Sequence, residues 1–538
     1  MRPKRYLVTA ALPYANGPLH FGHIAGCYLP ADCFARFKRL CGEEVFFVSG
    51  SDEYGVAITL SAEQAGRTPK EHVDIFHSIN KKLFEALQIS FDHFSRTTID
   101  IHTKTAQEFF TTLLQNGYIE EQMSEQLYSE ADQRFLADRY VEGICPKCGF
   151  EKARGDECTS CGASYEATDL KNPRSKLTGS PLTTKSTKHW FLRFDKFKDQ
   201  LQAWIQDKPW KSNVKSFAKH YIDELKPRAI TRDSDWGIPV PLEGAEGKVL
   251  YVWFDAPIGY ISMTKEWNPL RWKEYWCDAS THLTQFIGKD NIPFHAIFFP
   301  AMLMGMEENY QLVDDLPANE FLQFEGKQFS KSSGHTIDLD RFFQQFSADQ
   351  IRYVLAANAP ETQDSDFSWS DFQTRCNAEL VGKLGNFANR SLVFVQRKMD
   401  AIVPTTATVA PDDEAFLAKI QQLMSDIHIA YEGYHLRRAT QLIMELAQMG
   451  NVYFDAKQPW KDPDGAKTTL YCCLECLKNL AIASSPIIPA TAQKLWQLLG
   501  YTAPLTAWAQ PSIPSQQKLP SPTILFAKVE EEQLAAAK

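Results

Sequence analysis

The 538-residue sequence has no apolar run long enough to cross a bilayer. The longest apolar stretch, residues 296–306, is too short for a membrane span and contains Pro300. The N-terminus is basic and then apolar, like a secretory signal, but the apolar run stops at Pro13 and turn-forming residues follow instead of a cleavage site. We interpret it as a first buried strand. The sequence therefore predicts a soluble protein, without a membrane partner, in the cytoplasm.

The chain also lacks an excess of basic residues. Its 57 lysines and arginines face 66 acidic residues, which gives a formal net charge of −9. This charge argues against indiscriminate binding of nucleic acid. Local basic groups at residues 36–39 and 437–438 can still act as contacts, although each alone is typical of a solvated helix face. The length exceeds what one hydrophobic core usually serves, so several domains are expected.

Twelve cysteines in a chain without a signal indicate reduced thiols or metal ligands rather than disulfides. Two CxxC pairs stand nine residues apart, and their four members are Cys145, Cys148, Cys158 and Cys161. Four thiolates at this spacing are typical of a structural zinc site, with a disulfide or an empty site as the alternative. Cys473 and Cys476 form another CxxC in helical-looking sequence without a matching pair, which favours core packing.

Strands and helices alternate in the first 117 residues. The pattern predicts a strand over 6–12, a helix over 22–40 that is kinked at Pro30, and a second strand over 45–48. Thr68 opens another helix with the spacing of a capping box and with proline at the first helical position. This alternation predicts an α/β domain with a doubly wound parallel sheet.

The pattern changes twice further along the chain. Residues 118–230 carry many charges and the cysteine quartet, as expected of an insertion, and apolar strand-like segments return at 249–254 and 296–299. After about residue 371, apolar positions recur every three or four residues over 412–431, 435–454 and 468–484, which predicts a helical bundle. For the tail after Pro511 we expect a strand and a frayed helix.

Two motifs suit the binding of a polyphosphate. The segment HFGH, with His20, Gly22 and His23, follows the first strand and opens a helix, so backbone N–H groups and imidazoles can meet phosphate oxygens. The segment QFSKS, residues 328–332, places Lys331 between Ser330 and Ser332 in a short loop. A lysine and two hydroxyls can clamp phosphates. Either motif alone would be weak evidence, because paired histidines and polar loops are common.

Together these motifs resemble the HIGH and KMSKS signatures of class I aminoacyl-tRNA synthetases. Gln328 and Phe329 depart from the signature, whereas its second lysine is retained as Lys331. The segments TAALPYANGPLHFGH, RFLADRYVEGICPKCG, VWFDAPIGY, FIGKDNIPFH and KLGNFANR are similar to those of methionyl-tRNA synthetases and span nearly the whole chain. Asn291 stands where that family usually has an apolar residue.

The resemblance implies a Rossmann-type parallel-sheet catalytic domain with a zinc-knuckle connective insertion, followed by an α-helical anticodon-binding bundle. The implied divisions are the two catalytic halves 1–117 and 231–325, the insertion 118–230, the SKS loop region 326–370 and the anticodon-binding domain 371–538. It also implies a monomer, because no OB-type module follows the bundle.

The resemblance also implies the site residues. For methionine they are Leu12, Tyr14, Asp52, Trp253, Ala256, Pro257, Tyr260 and His295, with Asp52 toward the α-ammonium. For ATP they are Gly22, Gly288, Asp290, Ser330, Lys331 and Ser332, with His20, His23 and Lys331 stabilising charge on the phosphates. For the anticodon they are Asn386, Arg390, Pro459 and Trp460. The implied activity is ATP-dependent attachment of methionine to tRNA(Met), including the initiator, with Mg²⁺ accompanying ATP and one structural Zn²⁺.

Three other interpretations stay open at the level of sequence. Class I synthetases for Leu, Ile and Val carry a large editing insertion, for which about a hundred residues of connective sequence leave no room. A small-molecule nucleotidylyltransferase shares HxGH and a Rossmann-like sheet but needs neither the knuckle nor the bundle. A non-catalytic tRNA-binding paralogue would have no reason to retain His20, His23, Asp52 and Lys331.

Overall fold

The computed structural model describes residues 5–136, 140–155, 158, 160–161, 165, 167–330, 334–406, 409–463 and 465–538. The α/β part begins with β1 (Arg5–Ala10), α1 (Phe21–His23), α2 (Leu29–Leu40), β2 (Glu44–Ser51), α3 (Val56–Gln64), α4 (Pro69–Ala86), β3 (His93–Arg96) and α5 (Asp100–Gln115). An insertion follows, with β4 (Ile119–Ser129), β5 (Arg134–Phe135), β6 (Val141–Ile144), β7 (Ala153–Arg154), β8 (Lys171–Ser175), β9 (Thr183–Leu192), α6 (Lys198–Gln206), α7 (Ser212–Asp223) and β10 (Arg228–Ala229).

The α/β part then resumes with β11 (Thr231–Asp233), β12 (Lys248–Leu250), α8 (Val252–Trp267), α9 (Trp272–Trp276), β13 (Thr281–Gly288), α10 (Phe299–Met304), β14 (Ala318–Asn319), β15 (Leu322–Phe324), α11 (Leu339–Gln345), α12 (Ala348–Ala357) and β16 (Ser365–Phe367). The helical part consists of α13 (Trp369–Arg375), α14 (Asn386–Lys398), α15 (Pro411–Glu432), α16 (Leu436–Lys457), α17 (Lys467–Ser484), α18 (Pro489–Leu498) and α19 (Glu531–Ala537).

A five-stranded parallel sheet organises the α/β part, in the order β14-β13-β1-β2-β3. All six residues of β1 are buried, as expected of a central strand whose two faces are covered by helices. The strand order reverses beside β1, and ligands bind at the carboxyl edge of such a crevice. The predicted α/β class, the parallel sheet and the helical C-terminal region are confirmed.

The helix after β1 runs without a break from Phe21 to Leu40, and its second turn, Ile24–Tyr28, is π-helical. Pro30 has no N–H to give to the carbonyl of Gly26, and the Asn319 side chain donates to that carbonyl instead, at 3.0 Å. The predicted irregularity at Pro30 is thus a π-helical turn just before the proline. The capping box predicted at Thr68 is present as well.

One strand prediction was wrong and another was right only at its start. Residues 296–299 are helical, because they belong to the π-helical turn Phe294–Phe298 and to the start of α10. This segment is buried on every side, and a fully apolar run cannot distinguish a buried helix from a buried strand. Of residues 249–254, the strand ends at Leu250 and α8 begins at Val252. The strands that this half contributes to the parallel sheet are β13 and β14, which the sequence analysis did not identify.

The insertion is a long antiparallel ribbon that carries a small three-stranded sheet. Strands β4 and β9 pair from Ile119↔Leu192 to Tyr128↔Thr183. The chain therefore leaves the α/β part along β4 and comes back beside the same point along β9. The small sheet has the order β7-β6-β8 and contains Cys145 and Cys158 in its core. Val56 and Leu60 of α3 pack against this core, which places the small sheet beside the carboxyl end of β2.

The helical part shares one hydrophobic core with the α/β part. Phe37 of α2 stacks on Tyr431 of α15 with ring centroids 5.1 Å apart, and Trp508 packs edge-on against the same phenyl ring. Cys473 and Cys476 are fully buried in α17, as predicted. After Pro511 the described residues contain α19 but no extended strand, so that part of the tail prediction was wrong. No helix among the described residues is long and apolar enough to span a membrane.

Candidate active site and metal centre

A cavity of about 900 Å³ opens at the carboxyl edge of the parallel sheet. Among the residues that line it are Leu12, Tyr14, His20, Gly22, His23, Asp52, Trp253, Ala256, Pro257, Tyr260, Gly288, Asp290 and His295. These are all the residues predicted for methionine, together with both histidines and three of those predicted for ATP. Ser330 lies outside this lining, and Lys331 and Ser332 lie outside the described residues.

The two histidines of HFGH lie at the N-terminus of α1. His20 is the N-cap: its Nδ1 accepts a hydrogen bond from the amide of Gly22 at 3.1 Å, and its amide donates to Nδ1 of His23 at 3.2 Å. The two rings lie 3.9 Å apart. A Cβ on Gly22 would lie 2.9 Å from the His20 ring, so a larger residue there would displace that ring. The motif thus presents two imidazoles at a helix start, where anions bind.

Phe329, which replaces the methionine of the family signature, stacks on His20. The two ring centroids are 4.4 Å apart and the planes differ by 9°. Phe324 also stacks with Phe329, with ring centroids 5.5 Å apart. Gln328 and Phe329 also line the cavity. Lys331 is two residues further along the chain, so the start of the QFSKS loop lies directly against HFGH. The structure thereby brings together two motifs separated by about 300 residues of sequence.

Asp52 lies at the end of β2 against the loop that leaves β1. Its amide donates to the Pro13 carbonyl at 2.9 Å, and its carbonyl accepts from the amide of Ala15 at 2.8 Å. Gly55, three residues on, has a φ of +106°, and a Cβ there would lie 2.8 Å from Oη of Tyr14. These constraints aim the Asp52 carboxylate at the cavity between the two loops.

The apolar end of the cavity is an aromatic box. Trp253 is 43% exposed and packs edge-on against Phe294, with ring centroids 5.0 Å apart. Tyr260 donates from its hydroxyl to Nε2 of His295 at 2.9 Å. Nδ1 of the same imidazole carries the ring hydrogen, because it donates to the Asn291 carbonyl at 3.0 Å. Nε2 is therefore the acceptor for the Tyr260 hydroxyl. Burial lowers the pKa of His295 to about 4, so its ring is neutral at pH 7.

The sequence analysis missed several residues of the cavity. Arg232 of β11 lines it, with its guanidinium 3.9 Å from the ring centroid of Tyr251. Asn16, Cys27 and Phe294 line it too. Asn16 and Cys27 lie close to HFGH, so proximity to the motif could have suggested them. Arg232 carries no such signal, because it is a single arginine in a short strand after the insertion.

The four cysteines of the insertion form one cluster. Their sulfur atoms all lie within 4.8 Å of one another; Sγ of Cys145 is 3.9 Å from that of Cys161, and Sγ of Cys148 is 3.5 Å from that of Cys158. Four thiolates arranged as a tetrahedron around zinc, with Zn–S of about 2.3 Å, would be about 3.8 Å apart. The amides of Lys147 and Cys148 point at Sγ of Cys145 at 3.4 Å. The cluster can therefore hold a metal ion, as predicted.

The residues predicted for the anticodon meet at one end of the helical bundle. Arg390 of α14 pairs with Asp455 and lies over the ring of Phe454, 4.6 Å from its centroid. Trp460, 48% exposed just after α16, lies 6.1 Å from the same phenyl ring. Asn386 donates to the side-chain carbonyl of Asn451 at 2.9 Å, and Pro459 is buried. Arginine, asparagine and an exposed indole thus share one surface.

Comparison with known proteins decides the family. Residues 6–392 match the family model described as tRNA synthetases class I (M), and residues 413–537 match the anticodon-binding domain of tRNA ligase. The chain belongs to the class I tRNA synthetases (M). The predicted family is confirmed, and this synthetase places its HFGH motif, aromatic box and cysteine cluster within the residues matched by the first model.

Individual relatives agree with that assignment. The chain is 59% identical over 545 residues to the methionine–tRNA ligase of Protochlamydia amoebophila, an alignment that covers 98% of this synthetase and 78% of the relative. It is 54% identical over 508 residues to that of Chlamydia abortus, covering 92% of both chains. A Mycobacterium tuberculosis methionyl-tRNA synthetase in complex with methionyl-adenylate superimposes with a TM-score of 0.81, at 29% identity and with 97% and 99% of the two chains covered.

Proposed function

We propose that this synthetase is a methionine–tRNA ligase, which activates L-methionine with ATP and transfers it to tRNA(Met), including the initiator. The observation that carries the proposal is that one cavity joins the HFGH histidines to an aromatic, thioether-sized box. Aromatic rings bind sulfur favourably in addition to burying apolar surface. Relatives at 59% and 54% identity are named methionine–tRNA ligases, which supports the same amino acid.

The box accounts for the side of the cavity that binds the amino acid. Trp253, Ala256, Pro257 and Leu12 supply apolar walls, and the Tyr260–His295 hydrogen bond holds both polar side chains within the box. We assign the Asp52 carboxylate to the α-ammonium group. A neutral His295 adds no charge, which suits an uncharged thioether side chain.

The first reaction needs positioning rather than a protein nucleophile. A carboxylate oxygen of methionine attacks the α-phosphorus of Mg-ATP, the bond from that phosphorus to the bridging oxygen breaks, and pyrophosphate leaves with the electron pair. We assign charge stabilisation on the phosphates to His20, His23 and Lys331, and nucleotide contacts to Gly22, Gly288, Asp290, Ser330 and Ser332. The product is methionyl-adenylate, the compound bound in the Mycobacterium tuberculosis structure.

In the second reaction a terminal ribose hydroxyl of tRNA attacks the carbonyl carbon of the adenylate. The ester bond forms, the hydroxyl proton is lost, and AMP leaves. We assign anticodon contacts to the surface formed by Asn386, Arg390 and Trp460, together with Pro459, which precedes Trp460 and is itself buried. An exposed indole can stack an unpaired base, and arginine and asparagine can hydrogen-bond base edges. The match to an anticodon-binding domain of tRNA ligase supports this assignment.

We further propose that the metal of Cys145, Cys148, Cys158 and Cys161 is zinc in a structural role, since four thiolates leave no open coordination position. The ion would fix the small sheet that packs on α3 beside the cavity. The domain divisions 1–117, 118–230, 231–325, 326–370 and 371–538, a monomeric state and a cytoplasmic location are part of the same proposal.

ATP–pyrophosphate exchange with each of the twenty amino acids tests the proposal. Methionine alone should support exchange, and exchange with a different amino acid, or none with methionine, would refute the specificity. Lys331→Ala should reduce exchange about 100-fold or more, as removal of a charge-stabilising group does.

A second experiment distinguishes the contribution of the tRNA surface from that of the cavity. Trp460→Ala should lower kcat/KM for tRNA about 5- to 150-fold, the loss expected when one stacked base loses its platform. Methionine-dependent exchange should change little, because Trp460 lies in the helical part of the molecule. Ile429→Ala on α15, which removes a side chain that is 63% exposed, is the matched control. Equal losses in the exchange and aminoacylation assays would contradict the assignment.

A further inference from the structure

A buried polar cluster lies behind the aromatic box, outside the cavity lining. Asp255 in the first turn of α8, Ser262 on the same helix and His102 of α5 are all fully buried. Oδ2 of Asp255 lies 3.3 Å from Nε2 of His102, and Nδ1 of His102 lies 2.8 Å from the Ser262 hydroxyl. The order resembles a hydrolytic triad, but Ser262 is fully buried and does not line the cavity, so a substrate bound there could not reach its hydroxyl.

One oxygen of the Asp255 carboxyl has no hydrogen-bond partner. Oδ1 is buried and unpaired, and among the described residues no lysine or arginine donates to Asp255. A carboxylate shares its charge between both oxygens, so ionised Asp255 would leave half of a buried charge unsolvated, at a cost of several kcal/mol or more. A protonated carboxyl needs one acceptor for its hydroxyl and exposes Oδ1 as a neutral carbonyl, which costs far less.

Counting protons along the cluster gives the same answer. The Ser262 hydroxyl donates to the Gly259 carbonyl at 3.0 Å and has no second hydrogen to offer His102. With the Ser262 hydroxyl on the Gly259 carbonyl, the hydrogen of the His102 ring lies on Nδ1, which donates to Ser262. Burial lowers the pKa of His102 to about 3, so the ring is neutral and Nε2 carries a lone pair. That lone pair faces Oδ2 of Asp255, and the contact is favourable when Oδ2 carries a proton.

The cluster lies close to the carboxylate that faces the cavity. Asp52 has one buried oxygen without a partner, and Trp253 and Ala256, which flank Asp255 on α8, line the cavity with Asp52. Burial raises the pKa of Asp52, and negative charge on Asp255 raises it further. Two ionised carboxylates at this end of the cavity would repel each other, so a proton on one favours ionisation of the other.

The neighbouring ionisable groups do not supply a compensating positive charge. Glu53 and Tyr54 follow Asp52 in the loop after β2, and His102 is the facing group on α5. Arg96 of β3 forms salt bridges with Glu53, at 2.7 Å, and with Asp74, and it does not pair with Asp255. The proton is therefore the available means of neutralising Asp255.

We propose that Asp255 is a permanently protonated carboxylic acid, held by the neutral His102, and that it acts as a positioning residue by leaving Asp52 as the single anion for the substrate α-ammonium. The substrate half of this inference rests on the proposed function, whereas the protonation of Asp255 does not. A cavity with one carboxylate matches an amino acid with one ammonium group, and it avoids drawing a second cation into the box.

Infrared spectroscopy of the substrate-free protein with ¹³C-labelled aspartate carboxyls tests the protonation. At pH 7.5 the wild-type spectrum should contain a carboxylic-acid C=O stretch that is absent from Asp255→Asn and retained in Asp52→Asn. A wild-type spectrum with carboxylate bands alone would overturn the proposal, and so would loss of the band in Asp52→Asn. If Asp255→Asn does not fold, persistence of the band in Asp52→Asn up to pH 8.5 supports the proposal and its loss overturns it, because an ordinary aspartic acid is ionised there.

Kinetics test the role of the charge. Asn keeps the shape and neutrality of the protonated acid, and its amide can donate to Nε2 of His102, so Asp255→Asn should raise KM for methionine less than about tenfold. Asp52→Asn, which removes the anion, should raise it more than about tenfold, and KM for ATP should change less in both. An equal rise in the two variants would overturn the positioning role. If the wild type shows no exchange with methionine, the proposed function fails, and the infrared result still decides the protonation.

Discussion

At the scale of single residues, burial sets the charge of several groups around the cavity. His77, His102 and His295 all have pKa values well below that of a free histidine because loss of solvent disfavours the charged ring; His102 and His295 are buried, and His77 is half-buried. His77 lies on α4, where its Nδ1 is 2.9 Å from the Ser51 hydroxyl at the end of β2. Such neutral histidines can accept hydrogen bonds in places where a cation would be costly.

Burial of His77 makes stability depend on pH. Its pKa falls from 6.5 in the unfolded chain to about 4 in the folded one, through burial and the nearby Arg96. Below pH 6.5 this histidine therefore binds a proton in the unfolded chain but not in the folded chain. The free energy of unfolding falls as the pH drops from about 6.5 to about 4. Between pH 7 and pH 5 this histidine should cost about 1–2 kcal/mol.

Calorimetry of His77→Gln measures that loss. The Tm of the wild type should fall further between pH 7 and pH 5 than that of the variant, because glutamine takes up no proton. His220→Gln, at an exposed position of α7, serves as the control. Parallel pH profiles for the wild type and His77→Gln would contradict the expected linkage.

At the scale of elements, the site depends on short connections that follow strands. The loop after β1 leads into HFGH and the loop after β2 holds Asp52. Gly288 is the last residue of β13, and the turn that follows holds Asp290. The small sheet of the insertion joins this edge through Val56 and Leu60 of α3. A metal ion that orders the small sheet therefore also supports a wall of the cavity.

Removing one cysteine tests the metal centre. The purified wild type should contain about one zinc per chain by elemental analysis, and Cys145→Ser should contain almost none, because three thiolates bind structural zinc far less tightly. Cys277→Ser, at a half-buried cysteine outside the cluster, should keep the metal. Full zinc content in Cys145→Ser would exclude Cys145 as a ligand.

At the scale of the whole molecule, a buried arginine joins the α/β part to the helical part. Arg352 of α12 is fully buried and lies 2.7 Å from Oδ2 of Asp32 on α2. It also donates to three carbonyls: Leu87 after α4 at 3.0 Å, and Pro486 and Ile487 between α17 and α18 at 2.8 and 2.7 Å. One guanidinium thus satisfies four acceptors from three segments of the chain.

Loss of this guanidinium should destabilise the assembly of the two parts. Arg352→Met leaves three buried carbonyls without their donor and Asp32 with one cation fewer, at a cost of about 3–5 kcal/mol. For a chain of this length that corresponds to a fall in Tm of roughly 3–5 °C. Arg341→Met, at an exposed arginine of α11 paired with Asp338, should shift Tm by less than about 1 °C. Similar Tm values for the two variants would show that the buried contacts carry no net stability.

The sequence predicted the structure correctly where a local pattern of residues is compatible with only one conformation. The CxxC pairs, the capping box at Thr68 and the helix after β1 each depend on neighbours within a few residues, and each is present. Prediction failed where burial removes the pattern, as at 296–299, because a fully apolar segment has the same composition in a helix and in a strand.

The sequence by itself therefore determined the α/β class, the helical bundle, the four-cysteine cluster that can hold a metal ion, and the family to which the motifs belong. The tertiary structure decided which distant groups meet, such as Phe329 against His20, Arg232 in the cavity wall and Asp255 against His102. The physical reason is that local conformation follows from near neighbours, whereas the charge state and contacts of a buried side chain follow from groups that folding brings from hundreds of residues away.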